Sequence, residues 1–488
     1  MFSRVKSFLF ENKNASQTVA KNTIWLSISN FGGRLIKAAI IIYGARALGT
    51  AGYGVFSYAL TLAGFFTFFV DPGINSILIR EGAGANTEER QSFFSAALVI
   101  KAIILLAVVF IILLIAPLFS TLPGSISLLP FVALIIVFDS TREVVSSLFR
   151  VEEKMQWDAA AFLFANISIV ILGFVFLKTS ATATSFTKAY ALGTAAGALM
   201  AIWLARKNLL KIFSKISLRR IVSILNAAWP FAITSALGIL FTNTDVLIIS
   251  WMKNASDVGV YSAAIRILQI LYIVPIVIQT STLPILSRLA KKDQDKFRFV
   301  LEKTVSIIFF ISIPISFGGA ILGKEIMGFV FGPAYAVGGL AFSILMLGVS
   351  FDYAAGIMGN SVFAYNHQKT LIISSAIGGL SNVILDLLLI PRFGIAGSAI
   401  ATIVTQILTN SYLWHAMKKL NRFYILNKMS KIITAGAVML IITTLFSLLK
   451  VNLIINIAIS GIIYISIIFI LKEPLIREIK DVLNIAKI

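Results

Sequence analysis

Fourteen apolar stretches follow one another along the 488 residues: 22–47, 53–79, 91–116, 128–149, 158–177, 184–205, 222–251, 258–286, 299–323, 336–364, 370–390, 394–416, 431–449 and 451–471. Each approaches or exceeds the roughly 20 residues that carry a helix across a bilayer. In hydrocarbon every backbone N–H and C=O must be paired internally, so only helices and closed barrels can span it. Barrel strands alternate apolar and polar residues over about ten positions, whereas these runs are longer and uniformly apolar. The sequence therefore predicts an all-α polytopic membrane protein of about 14 transmembrane helices. Composition agrees: charged residues are 13% of the chain and mean hydropathy is +0.93, against about 25% charged residues in soluble domains.

A net charge of +21 would suggest nucleic acid in a soluble chain; here its distribution reads as topology, with no nucleic-acid partner. With the N-terminus in the cytoplasm, thirty Lys and Arg fall on cytoplasmic segments. Only Arg46, Lys178, Lys188, Lys253, Lys324, Arg392 and Lys450 fall outside. Both termini are then cytoplasmic, and the protein is placed in the cell membrane. Residues 1–21 read as a cytoplasmic tail, polar and basic rather than a signal peptide, in which Phe2, Val5, Phe8 and Leu9 can form a short surface helix or fray.

The chain also repeats itself. Asn22-Thr23-Ile24-Trp25 recurs as Asn226-Ala227-Ala228-Trp229, and Tyr53-Gly54-Val55-Phe56-Ser57 as Val258-Gly259-Val260-Tyr261-Ser262. Ile79-Arg80-Glu81-Gly82-Ala83 has a weaker echo in Ser287-Arg288-Leu289-Ala290. Matches in order at a nearly constant offset indicate a duplicated half, an arrangement that in transporters places the site at the repeat interface. The expected organisation is an N-lobe at 22–205, a basic cytoplasmic linker at 206–221, a C-lobe at 222–416, and a final helix pair with a cytoplasmic tail at 417–488.

Charges set well inside apolar spans are costly and mark candidate sites. In the first span Ser27, Asn30, Arg34 and Lys37 step by three, four and three onto one helical face, opposite Trp25, Ile36 and Ile40, which suit lipid. That face reads as the lining of a wet, positively charged interior; the competing reading is a pair that snorkels or bridges to acids. Arg266 shares a face with Ser262 and Gln269. Asp245 follows Ser235, Gly238 and Thr242 at the spacing of the first span's face, and Asp386 follows Ser375, Gly379 and Asn382. Each of these acids either pairs with a base or binds a coupling cation. Asp139, Arg142, Glu143 and Arg150 cluster as a structural ion network, and Lys101 lies near enough to its span's end to reach the cytoplasmic surface. Asp71-Pro72-Gly73 breaks the second span, and Pro230, Pro275, Pro284 and Pro314 suit further bends. Without Cys, with His367 and His415 the only histidines, and without a Walker loop, no metal, cofactor or nucleotide site is expected.

These motifs together resemble the polysaccharide or oligosaccharide flippases of the multidrug/oligosaccharidyl-lipid/polysaccharide (MOP) exporter superfamily. The resemblance is carried by Ala47-Leu48-Gly49 through Gly52-Tyr53-Gly54-Val55-Phe56-Ser57, Asp71-Pro72-Gly73-Ile74 and Ile79-Arg80-Glu81. In the second half it is carried by Thr244-Asp245, Val258-Gly259-Val260-Tyr261-Ser262 and Phe393-Gly394-Ile395-Ala396-Gly397-Ser398-Ala399-Ile400-Ala401. Pro72 departs from the family, where an apolar residue more often follows the Asp. The resemblance implies two six-helix lobes and transfer of polyprenyl-diphosphate-linked oligosaccharide to the outer leaflet, for surface polysaccharide synthesis. Arg34, Lys37 and Arg266 would bind the diphosphate, Ser27, Asn30, Ser262 and Gln269 would line the cavity, and Asp245, Asp386 or Asp139 would serve as coupling or ion-pair acids. Expected partners are the lipid-linked glycan, membrane lipids, and a glycan polymerase or glycosyltransferases around a monomeric protein. A lipid II flippase and a multidrug or cation antiporter of the superfamily stand as alternatives, with a membrane glycosyltransferase or polymerase more remote. An antiporter would prefer acids where the first span has cations, and the enzyme would want carboxylates at an aqueous face, where the outer loops offer only Asp257 and Glu325.

Overall fold

The computed structural model describes residues 10–12, 14–212, 218–242, 244–425 and 429–472. The expected surface helix on Phe2, Val5, Phe8 and Leu9 lies outside them, as do the middle of the linker and the basic tail beyond Lys472. Among the described residues there is no strand. Ten helices among the described residues are long and apolar enough to cross a membrane, and two of these are double. The first, α1 (Ala15–Val70), contains two spans merged at Gly49, whose φ of 67° is a turn conformation open to glycine at little cost. A long helix near the other end of the chain is interrupted in the same way at Gly394. Two further helices reach spanning length, one carrying the Asp139–Arg150 charges and the other Leu218–Thr242. The arrangement accommodates fourteen spans.

The contacts divide the chain into two compact units, Met1–Ile239 with Lys253–Gly259, and Leu240–Met252 with Val260–Ile488. In the first unit α1 begins earlier than hydropathy alone suggests. Asn14 caps it by accepting the Gln17 N–H at 2.8 Å, and buried Lys21 donates to the Glu153 carbonyl at 3.2 Å. After Asp71-Pro72-Gly73, α2 (Ile74–Gly84) restarts, with the Asp71 carboxylate accepting the Asn75 N–H at 3.0 Å. A capping box on Asn86 and Glu89 opens α3 (Thr87–Phe110), which runs on through a π-turn to Phe119. There follow α4 (Leu129–Val151), α5 (Met155–Thr179), α6 (Ala183–Ile212) and α7 (Leu218–Thr242). Their core joins Ile77, Phe94, Leu148, Ala201 and Ala228. In lipid such contacts gain little from water exclusion, so close packing holds them, and small residues such as Ala161, Ala201 and Ala205 let backbones approach.

The first unit also contains the beginning of α9 (Ala255–Leu271), which meets the second span of α1 at a crossing of two glycines. A Cβ on Gly54 would stand 1.7 Å from the Ala255 carbonyl oxygen, and one on Gly259 1.9 Å from that of Thr50. Each position therefore admits only a hydrogen. Ser256 Oγ donates to Thr50 Oγ1 at 2.8 Å beside them. Thr50-x-x-x-Gly54 and Ala255-x-x-x-Gly259 are equivalent pieces of the repeat, and each is a small-xxx-small helix contact.

The second unit holds α8 (Thr244–Met252), most of α9, α10 (Ile273–Leu289), α11 (Gln294–Ile321), α12 (Gly323–Phe331), α13 (Gly339–Ala364) and α14 (Gln368–Leu420), the double helix turned at Gly394. The chain breaks at Tyr272 between α9 and α10, because Pro275 cannot donate to the Leu271 carbonyl. The Tyr353 hydroxyl donates to that carbonyl at 2.6 Å instead. Tyr272 and Gln406 both donate to Asp352, and Asn360 donates to the Gln279 carbonyl at 2.9 Å, tying α10 to α13. Pro275 lies at such a break, as Pro72 does, whereas Pro284 and Pro314 sit within continuous α10 and α11; Pro230 falls outside the residues described in full. The Lys296 backbone N–H and ammonium hold the Asp293 carboxyl, the cap of α11, below its usual range. The final pair, α15 (Ser430–Leu448) and α16 (Leu453–Ile470), is joined by buried Thr443, Asn456 and Ser460.

Candidate functional site

Four polar residues ride on the first span of α1. Asn30 and Arg34 are exposed, while Ser27 and Lys37 are half-buried. Asn30 spends its amide on the Leu26 carbonyl at 2.8 Å. Arg34 makes no hydrogen bond or ion pair among the described residues, so its five donors remain available. Lys37 is held differently: its ammonium sits 4.9 Å from the centroid of the Tyr190 ring. That ring closes an aromatic group with Phe56 and Phe186, whose centroids lie 4.1 Å apart. A cation–π contact contributes about 0.5–2 kcal/mol while leaving the ammonium protons free to donate. One cation is thus anchored by a ring and its neighbour a turn away is unengaged.

The apolar side of that span does not face lipid throughout. Ile40, expected there, is fully buried against the space left by Gly173 of α5, and Trp25 packs edge-on to Phe10. The other first-unit charges satisfy one another. Arg142, 4% exposed, is clamped by Asp139 at 3.0 Å and Glu143 at 2.6 Å. Arg150 reaches Asp158 at 2.8 Å and Glu143 at 3.6 Å. Lys101 does not reach a surface: it is buried, donating to Asn75 Oδ1 at 2.8 Å with Asp71 3.5 Å away. Asp71, at the expected break of the second span, is also the counter-charge of this lysine.

In the second unit Arg266 is half-buried and donates to Gln269 Oε1 at 2.8 Å, one turn further along α9. Ser262 is buried, and its hydroxyl has no partner among the described residues. The acids gather elsewhere. Asp245, in the first turn of α8, accepts the Tyr261 hydroxyl at 2.8 Å and its own neighbour's Val246 N–H at 2.9 Å. Asp386 of α14 is fully buried, lies within electrostatic reach of Asp245, and has the Ser398 hydroxyl as its one nearby donor among the described residues, outside good hydrogen-bond geometry. One turn before it, buried Asn382 leaves its Oδ1 unpaired among the described residues, and the Ser398 hydroxyl across the turn lies beside both Asp386 and Tyr261. Thr402, next to Tyr261, donates to the Ser398 carbonyl at 3.0 Å.

A buried carboxylate so sparsely satisfied is among the costliest arrangements a protein can hold, unless a cation or proton joins it. Here two carboxylates, an amide oxygen, a hydroxyl and a phenol converge from α8, α9 and both halves of α14. All are oxygen donors, which suits a hard monovalent or divalent cation and no soft metal. Sequence reasoning found Asp245 and Asp386 but missed Tyr261, Ser398 and Thr402. The available signal was position: Tyr261 and Ser398 lie inside two of the motifs that recur or carry the resemblance.

Residues 19–290, more than half of the chain, match the family described as polysaccharide biosynthesis protein. The chain belongs to that family. Residues 230–388 also match the MatE family, consistent with membership of the MOP superfamily. A probable low-salt glycan biosynthesis flippase of Haloferax volcanii is 25% identical over 79% of this chain and 80% of its own. A capsular polysaccharide biosynthesis protein of Staphylococcus aureus is 22% identical over 80% of this chain and 96% of its own. Among solved structures, an inward closed lipid II flippase covers 93% of this chain and 100% of its own, at a TM-score of 0.76 and 22% identity, which speaks for the fold. This member of the polysaccharide biosynthesis family is thus a multi-pass membrane flippase, a transporter rather than an enzyme.

Proposed function

We propose that this flippase carries a polyprenyl-diphosphate-linked oligosaccharide from the cytoplasmic to the outer leaflet of the cell membrane by alternating access between its two repeats. The observation that carries the reading is the exposed, unengaged guanidinium of Arg34, one turn from the ring-anchored Lys37. A diphosphate needs both kinds of contact, a planar fork that takes two oxygens and a compact point charge. Arg266, from the second repeat, supplies a third cation, and Ser27, Asn30 and Gln269 offer hydrogen bonds to the glycan. The names of the relatives support the cargo class, since they concern glycan and capsule synthesis. A cationic rather than acidic face on α1 argues against a drug–cation antiporter.

In this reading the lobes that rock are 22–205 and 222–416, and both termini are cytoplasmic. In the second lobe Asp245 and Asp386 hold the coupling cation, with Asn382 and Ser398 completing the shell. Asp139 serves only as the counter-charge of Arg142. The protein acts as a monomer, beside the glycosyltransferases or polymerase that make and use its cargo. The deciding experiment is translocation in proteoliposomes of a short polyprenyl-diphosphate glycan, with lipid II as the competing cargo. Arg34→Ala and Lys37→Ala should each lower the rate at least tenfold at normal expression. Parental rates in Arg34→Ala, Lys37→Ala and Arg266→Ala alike would overturn the docking site, and a preference for lipid II would overturn the cargo.

A further inference from the structure

Away from all these charges, the second unit contains a pocket of about 480 Å³ between α11, α13 and the second half of α14. We propose that it is a binding site for one anionic phospholipid of the surrounding bilayer. Its floor is hydrocarbon: Phe309, Phe351, Met358 and Ile407 line it. Its wall is one face of α14, because Ile407, Asn410, Trp414 and Lys418 recur at helical spacing. The polarity therefore rises along one direction, from Ile407 to a mouth formed by Trp414, His415 and Lys418. A tryptophan beside basic residues is the usual composition at headgroup depth. The volume falls within the roughly 300–1,000 Å³ of ligand pockets.

Charge selects the occupant. Lys418, Lys419 and Arg422 are exposed within five positions, and Lys418 and His415 make no ion pair among the described residues. The neighbouring acid, Glu302, is buried and accepts the Tyr424 N–H at 2.7 Å. An anionic headgroup with a hydrocarbon tail answers both ends of the pocket; a zwitterionic lipid answers one. The mouth is also rigid. Trp414 stands edge-on to buried Phe423 at 4.8 Å, and Asn421 ties the chain after α14 to Arg298 and Gln294 of α11. None of the residues proposed for the diphosphate or for the coupling cation lines this pocket, so the inference does not rest on those assignments.

The test is fluorescence quenching in a variant that keeps only Trp414, the other five tryptophans being replaced by phenylalanine. The protein is reconstituted in phosphatidylcholine, and acyl-brominated phosphatidylglycerol is titrated in. Saturable quenching is expected at a lipid fraction about an order of magnitude below that needed with brominated phosphatidylcholine, several basic groups acting together. Lys418→Gln should reduce that preference on the order of fivefold. Ala354→Phe, which fills the floor, should remove the saturable phase; if that variant does not fold, the surface change Lys418→Gln decides alone. Equal quenching by the two headgroups, or no effect of Lys418→Gln, would reduce the pocket to ordinary boundary lipid and overturn the proposal. Displacement of the brominated lipid by polyprenyl diphosphate would assign the pocket to the cargo, and overturn it equally.

Discussion

The basic side chains set within the spans divide by what answers their charge, and that division has different consequences on mutation. Arg142 is buried against two carboxylates that are each about a third exposed, so Arg142→Ala removes two charge-assisted hydrogen bonds and leaves neighbouring acids to repel, at a cost of about 1–3 kcal/mol. The expected result is a sharp fall in melting temperature and yield. Arg34→Ala removes an exposed group with no partner among the described residues and should leave melting unchanged while transport is lost. Arg34→Lys keeps the charge and loses the fork; residual transport below about a tenth of parental would show that bidentate contact is required. For the acids, Asp386→Asn should abolish dependence of transport on the driving cation and raise stability, because it removes a buried carboxyl that its neighbours satisfy poorly. Unchanged cation dependence in Asp386→Asn would exclude the coupling role. The spacing of Ser27, Asn30, Arg34 and Lys37 was readable in the sequence because helical periodicity is local. The ring under Lys37 was not, since Tyr190 lies on a helix five spans away and only packing brings it near.

Among helices, hydropathy located the spans but not their interruptions. A proline marks where a backbone bond is lost, and whether the helix breaks depends on what can replace that bond. At Pro275 the replacement is the Tyr353 hydroxyl, contributed by α13, and the chain opens; at Pro284 and Pro314 the helix absorbs the defect. Tyr353→Phe should therefore destabilise the second unit by about 1–3 kcal/mol through one unsatisfied carbonyl. Calorimetry of the purified protein would read this, and a shift within error would mean that water serves the carbonyl as well. Start positions were misjudged for a related reason. Residues 15–21 look like a polar tail, yet the Asn14 cap and the burial of Lys21 against the Glu153 carbonyl carry α1 seven residues beyond its apolar part.

At the scale of the whole molecule, the distribution of lysine and arginine makes a prediction that is independent of any site. Cysteines at Ser180 and Ser127 should react with an impermeant maleimide from outside intact cells, and cysteines at Gln368 and Ser430 should not; all four positions are exposed. Ser125, in the same outer loop, is unsuitable because it is 1% exposed and bonded to Ser120. Reversed labelling would invert the direction of transport. The duplication leaves its own mark where Gly54 and Gly259 cross, since Gly54→Ala should disrupt folding or transport. Gly64→Ala, in the same helix with nothing within 4 Å of the new carbon, should be neutral or stabilising by up to about 1 kcal/mol. Elsewhere the two copies have drifted apart, Phe56 against Tyr261 and Tyr53 against Val258, each answering to its own surroundings. At this pair drift is forbidden in a particular way: the obstacle to a side chain in one copy is the main chain of the other, which no substitution can trim. A gene that doubled itself gained freedom almost everywhere along its length, but here each half became the other's mould, and one letter is written twice because neither can be revised alone.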